Sequence, residues 1–165
     1  MRRARPAGLA TAGLVALVLL TAPNASATLQ ARSIKAAVRA ATPTKAPFPG
    51  LTATVVHVGG RALHVVIAKT ESQRELGLRR RSNLGPYDGM LFVFDGTTQV
   101  GFTMSTVPVS LDIGFYASNG RVVDQQRMLP CTRAESDCPV YQARGSFRYT
   151  LETLPGILPT GTLSG

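Results

Sequence analysis

The chain has 165 residues, 44% of them apolar, and a formal net charge of +9. That length holds one domain with room for an appendage, and that apolar content excludes a wholly disordered chain. Eighteen Lys and Arg against nine Asp and Glu invite a nucleic-acid or membrane-surface reading, because basic patches attract phosphate, until the charges are placed along the sequence.

Residues 1–27 carry the three parts of an export signal. Arg2, Arg3 and Arg5 open it, an uncharged apolar run extends from about Ala7 to Leu20, and Pro23 breaks that run. Ala25-Ser26-Ala27 then offers signal peptidase a small-x-small site. The run falls short of the roughly 20 residues that a spanning helix needs, so cleavage near Ala27 is favoured over an uncleaved membrane anchor. The expected destination is the extracellular space or the cell envelope.

From Thr28 to Pro49 the chain is rich in Ala, Thr and Pro, with Arg32, Lys35, Arg39 and Lys45 and no acid. It reads as a disordered basic linker of residues 28–49; a short helix over Ala31–Ala41 is the alternative, with a face that is mostly alanine. Such a tether has the charge to rest on an anionic envelope polymer or lipid surface, and a solvated spacer is the plainer reading. With three cations in the signal and four in the linker, 11 basic and nine acidic residues remain beyond residue 49. The predicted single β-rich domain of residues 50–165 is therefore close to neutral. It has no RNA-binding aromatic motif, helix-turn-helix pattern or zinc-finger spacing, so no nucleic-acid partner is expected. A monomer is expected.

Within that domain Thr52–Val58 and Leu63–Ala68 flank Gly59-Gly60, a hairpin signal. Alternation puts Val56, Val58, Leu63, Val65 and Ile67 on one face and His57 and His64 on the other. Two histidines without a third ligand nearby do not make a metal site, and neither metal nor cofactor is expected. Thr70-Glu71-Ser72-Gln73 fits a capping box that opens a short helix to about Leu76, with Gly77 free to end it in a left-handed conformation. The triplet Arg79-Arg80-Arg81 can grip an anion, lie in solvent or pair with the domain's own acids.

Met90-Leu91-Phe92-Val93-Phe94 is the continuous apolar run of a strand buried on both faces. Val109, Leu111, Ile113 and Phe115 alternate with polar or small neighbours, and Asn119-Gly120 turns the chain into a further strand over Arg121–Arg127. Phe147, Tyr149 and Leu151 alternate with Arg148, Thr150 and Glu152, the pattern of a half-buried strand. The predicted fold class is mainly β: a compact sandwich or partly closed barrel with one short helix. Cys131 and Cys138, in an exported chain, are expected to form a structural disulfide that fixes the Pro130–Tyr141 excursion. No Gly-x-Ser-x-Gly elbow, His-Glu-x-x-His motif or phosphate-cradling loop is present, and no catalytic residue stands out.

These residues resemble a family. Thr70-x3-Arg74-x2-Gly77-Leu78, Asp88-Gly89-Met90-Leu91-Phe92-Val93-Phe94, Phe102-x-Met104 and Leu111-Asp112-Ile113-x-Phe115 are similar in type and order to the domain of unknown function 192 family. So are Asn119-Gly120-Arg121-Val122-Val123 and Pro130-Cys131 with Cys138-Pro139-Val140-Tyr141. The resemblance implies a small exported or membrane-tethered β-sandwich domain and supplies no reaction. Thr103 stands where the family usually has an aromatic residue, Ser105-Thr106-Val107 replace its usual polar residues, and Ser110 replaces a proline. Arg79 and Arg80 replace a methionine and an aromatic residue, so a shared pocket at these positions has lost part of its apolar lining.

Two functions follow as expectations. The first is an exported, envelope-associated binding or structural module. Its candidate groove is Arg74, Met90, Met104 and Asp112, unless Arg74 and Asp112 merely pair to lock helix to sheet with both methionines in the core. The second is a hydrolase or transferase acting on an envelope polymer with Asp112 as general base.

Overall fold

The apolar run Met90–Phe94 lies in the middle of an eight-stranded sheet. A computed structural model describes residues 33–165; the signal expected at residues 1–27 lies outside them. In chain order the described strands are β1 (Thr42–Pro43), β2 (Thr52–Val58), β3 (Arg61–Ala68), β4 (Gly89–Thr98) and β5 (Phe102–Thr103). They continue with β6 (Leu111–Tyr116), β7 (Val122–Met128), β8 (Val140–Tyr141), β9 (Phe147–Thr153) and β10 (Leu163–Ser164). The main sheet runs β1-β2-β3-β4-β9-β6-β7, with β10 also on β2, while β5 and β8 form a separate pair. The chain is mainly β, as its alternation predicts, and the sheet stays open.

One pairing places the functional region. β3 and β4 run parallel, and all other named pairs are antiparallel. Parallel neighbours need a crossover connection, and here it carries a helix, α2 (Glu71–Leu76), across one face of the sheet. Asp88 fixes the start of β4 against β3: its carboxylate accepts from His64 N at 2.7 Å and its own N–H donates to His64 O at 2.8 Å.

Successive strand residues point to opposite faces, so the sheet carries two cores. Val66, Ala68, Met90, Phe92, Ile113 and Phe115 belong to one, which β5, β8 and the connection after α2 cover. Val56, Val58, Leu63, Val65, Leu91, Tyr149 and Leu151 belong to the other, covered by Ile34, Leu163 and the segment between β9 and β10. Burying a large aliphatic or aromatic side chain is worth about 1.5–3 kcal/mol, so both faces contribute strongly.

Residues 33–49 are folded, which corrects the disordered linker expected up to Pro49. Ser33 caps a first helix, α1 (Ile34–Arg39), by accepting from Ala36 N at 3.2 Å, and Ile34 drops into the second core. A helix does form here, within the Ala31–Ala41 alternative, and with the one expected in residues 50–165 the described residues hold two short α-helices. β1 pairs with β2, and Phe48 is 1% exposed, edge-on to Tyr87 at 5.8 Å. Arg81 donates to Pro47 O at 2.6 Å and lies over the Phe48 ring at 4.4 Å. Two large apolar residues anchor an otherwise small-residue segment because distant residues have already built the holes they fill.

Cys131 and Cys138 are bonded, as expected for the pair. They close a short loop around the 3-10 turn Glu135–Asp137. Loop-closure entropy for so short a ring predicts that replacing both cysteines by serine lowers the unfolding free energy by about 2.5 kcal/mol. Urea unfolding of the double variant measures this loss, and an unchanged midpoint would show that packing alone holds the loop.

Candidate functional site

The site grows from the capping box. Gln73 N donates to Thr70 Oγ1 at 3.3 Å and Thr70 N donates to Gln73 Oε1 at 3.1 Å, so the first turn of α2 is fixed as the sequence predicts. Gly77 ends the helix at φ 47°, ψ −133°, a positive-φ conformation open to glycine but outside the left-handed helical region expected for it. A Cβ there would lie in ordinary contact with the Phe92 ring at 3.4 Å, so the backbone conformation and not crowding is what favours glycine. Arg74, in the last turn of α2, donates to Val93 O at 3.1 Å and to Lys69 O, with its guanidinium 4.9 Å from the centre of the Phe94 ring.

Between α2, β4, β5 and the 3-10 turn lies a pocket of about 680 Å3. Phe92, Phe94, Phe102, Leu78 and Val107 give it apolar walls. Phe102 is wedged against Phe92 at 5.4 Å and Phe115 at 5.7 Å, so that wall is part of the core. The polar lining is Glu71, Arg74, Glu75, Arg79, Thr103, Glu135 and Glu152. Arg79 bridges the rim: it bonds Glu135 and donates to Ser105 O at 3.2 Å and Glu75 O at 3.1 Å. Thr103 donates to the same Glu135 oxygen at 3.1 Å. The Arg79 bond, ahead of the smaller effect of burial, holds the Glu135 carboxyl below the usual glutamate range.

Glu152 is the residue that alternation misplaced. Read from sequence it faces solvent, but β9 lies between β4 and β6 and both its faces are covered. Glu152 pairs in register with Met90 on one side and Ile113 on the other, both buried. It is 5% exposed and lines the pocket, and among the described residues its carboxyl takes part in no hydrogen bond or ion pair, its oxygens facing the pocket rather than being sealed away from it. Burial pushes that carboxyl up to about 8. Two residues back on the same strand, Thr150 Oγ1 is fully buried without a partner. Gly89, across from Thr153, has no room for a side chain, because a Cβ there would sit 2.1 Å from Glu152 O. A signal for Glu152 did exist: a strand that neighbours a run buried on both faces tends to be covered on both faces itself.

Strained backbone stands behind this wall. Arg80 and Thr106 have φ values of 58° and 62°, and Arg80 N donates to Thr106 O at 2.7 Å. A β-branched residue at positive φ costs on the order of 1–2 kcal/mol, and such strain collects at functional sites.

The four groove residues expected from sequence do not converge. Arg74 lies on the pocket rim, while Met90 and Met104 are sealed in the first core. Asp112 points the other way. Its register partner is Thr153, next to Glu152 in β9, so the two carboxyls project from opposite faces. Asp112 is bonded by Arg127 and accepts from Gly156 N at 2.8 Å. The Arg74–Asp112 lock does not form, and Asp112 does not stand in the pocket as a base. Of the family departures, Arg79, Thr103 and Val107 line the pocket, while Arg80, Ser105, Thr106 and Ser110 do not.

Fold and site together define a small β domain with one amphipathic pocket under its crossover helix. The family model of the domain of unknown function 192 (DUF192), described as an uncharacterized ACR, matches residues 54–163, and the chain belongs to that family. A protein of unknown function from Novosphingobium aromaticivorans DSM 12444 is similar in structure, with a TM-score of 0.62 and 26% identity over 78% of this chain and 96% of that one. A second similar structure, from Sinorhizobium meliloti 1021, is described as a candidate transcription regulator. It has a TM-score of 0.56 and 30% identity over 67% of this chain and 90% of that one. No curated protein matches the chain.

Proposed function

We propose that the domain is an exported ligand-binding module of the cell envelope, with the pocket beneath α2 as its site. One observation carries this reading: a phenylalanine-walled cavity of about 680 Å3 is lined by the carboxyl of Glu152, a residue only 5% exposed whose carboxyl makes no hydrogen bond or ion pair among the described residues. Natural folds pair or hydrogen-bond their buried polar groups, so an exception that lines a cavity points to a partner from outside. Binding is favoured over nucleophilic catalysis because the lining offers no Ser, Cys, His or Lys, and its one hydroxyl, on Thr103, donates to a Glu135 carboxylate already held by Arg79. The export pattern of residues 1–27 and the disulfide support an oxidising compartment. Lys35, Arg39 and Lys45 are exposed on the folded surface, so contact with an anionic envelope polymer or lipid surface would be made by the domain itself. The regulatory description of the Sinorhizobium protein is not carried over, because the two described α-helices here have six residues each and are separated by strands, unlike a helix-turn-helix.

The test has two parts. Expressed from Met1, the chain is expected outside the cytoplasm with a mass that has lost residues 1–27; an intact cytoplasmic chain refutes export. Small molecules extracted from cell envelopes are expected to give saturation-transfer signals with the protein. Those signals should vanish with Thr103→Arg, which fills the pocket mouth without removing a core side chain. Signals that survive that substitution place binding elsewhere.

A further inference from the structure

The charged groups around the pocket are unequally committed. Arg74, on α2, spends its guanidinium on two backbone carbonyls and the Phe94 ring, and Arg79, just after α2, spends its own on Glu135 and two carbonyls. Glu71 and Glu75, also on α2, take part in no ion pair among the described residues. β4 and β5 contribute aromatic and hydroxyl groups but no charge. Three rim carboxylates thus face two guanidiniums that are already engaged, and Glu152 lies deeper, with no counter-charge. An anionic ligand would meet surplus carboxylates and no free cation.

We infer that the pocket takes an amphipathic organic cation, its ammonium group against the Glu152 carboxylate and its hydrocarbon body against Phe92, Phe102 and Val107. An ammonium donates the hydrogen bonds that Glu152 lacks, and the faces of Phe92 and Phe102 add attraction for the positive charge. Leu76 and Val100 line the mouth while 54% and 47% exposed, an apolar lip suited to a chain longer than the cavity. Because Glu152 holds its proton up to about pH 8, binding the cation releases that proton. Affinity for a cation therefore rises with pH toward that value and levels beyond it, whereas a neutral hydroxyl ligand, which the protonated acid can hold, weakens.

This inference rests on the pocket's being a binding site, and the two can fail separately. Chemical-shift titration of the full chain would use three probes of one size: phenethylammonium, 2-phenylethanol and 3-phenylpropionate. At about pH 7.5 phenethylammonium is expected to bind most tightly, roughly tenfold tighter than at about pH 6.5, and 3-phenylpropionate most weakly. Glu152→Gln, which keeps the shape and removes the ionisable group, is expected to weaken the ammonium probe at least tenfold at about pH 8.5 and to spare the alcohol. If 3-phenylpropionate matches the ammonium probe, or if ammonium binding ignores both pH and Glu152→Gln, the cation inference is overturned. The pocket reading then stands, provided Thr103→Arg still abolishes the binding seen. Failure of all three probes to bind overturns both.

Discussion

Glu152→Gln is expected to raise the unfolding free energy by about 3 kcal/mol at pH 7, with no change in fold. The folded-state carboxyl is pushed by burial from the ordinary 4.5 to about 8. Below 4.5 both states hold the proton and the residue is neutral in its effect. Between the two values the unfolded chain sheds a proton that the folded chain keeps, so stability falls as pH rises, and above about 8 the loss is complete. Glutamine cannot ionise, so the variant loses this decline. Asp124 and Glu135 work in the opposite sense. Burial by itself would raise Asp124, but its hydrogen bonds from Arg144, Gln126 and Gln125 outweigh that and hold it below the ordinary aspartate value. Glu135 is likewise held low, by Arg79. What these two contribute is present above their unfolded values and is lost as pH falls through their folded ones, so acid destabilises wild type and variant alike. Urea unfolding at about pH 3, 5, 7 and 8.5 separates the limbs. Parallel pH profiles for wild type and variant would contradict the assignment of Glu152 as an unsatisfied buried acid.

Phe48→Ala is expected to cost about 3–5 kcal/mol, the usual loss when a phenylalanine is removed from a packed core. Phe48 lies in the first core with Tyr87 beside it, and Tyr87 accepts from Lys45 N at 2.8 Å, so the segment is held by both packing and a backbone donor. Deleting residues 33–49 takes away Ile34 and the β1–β2 pairing as well. The summed loss approaches the whole stability of an ordinary domain, about 5–15 kcal/mol. Thermal unfolding followed by circular dichroism should show a sharply lowered midpoint for the point variant and no cooperative transition for the deletion. A deletion that melts like the parent would restore these residues to the status of a tether.

These expectations bear on why Glu152 is there. A residue that destabilises the unliganded fold near neutral pH persists most readily where function needs it, and a stabilising replacement that abolishes ligand binding is the usual form of that conflict. The strained pair Arg80–Thr106 behind the same wall fits this pattern.

Much of the fold was legible in the chain. The alternation of Val56, Val58, Leu63 and Val65, the Gly59-Gly60 and Asn119-Gly120 turns, the Thr70–Gln73 capping box, the buried run from Met90 and the Cys131–Cys138 bond all stand where sequence puts them. The site was legible only in part. Arg74 and the departures at Arg79, Thr103 and Val107 do reach the pocket, but Met90 and Met104 are core and Asp112 faces away.

The opening charge of +9 can be divided accordingly. The sequence alone placed seven of its cations before residue 50 and left the rest of the chain near neutral, because charge is countable residue by residue. Only tertiary structure decided that Lys35, Arg39 and Lys45 belong to the domain's own surface and that Glu152 lies inside it. Local periodicity says which side chains share a face of a strand. It cannot say whether that face is covered, because the covering segments come from α2, β5 and the 3-10 turn, far along the chain.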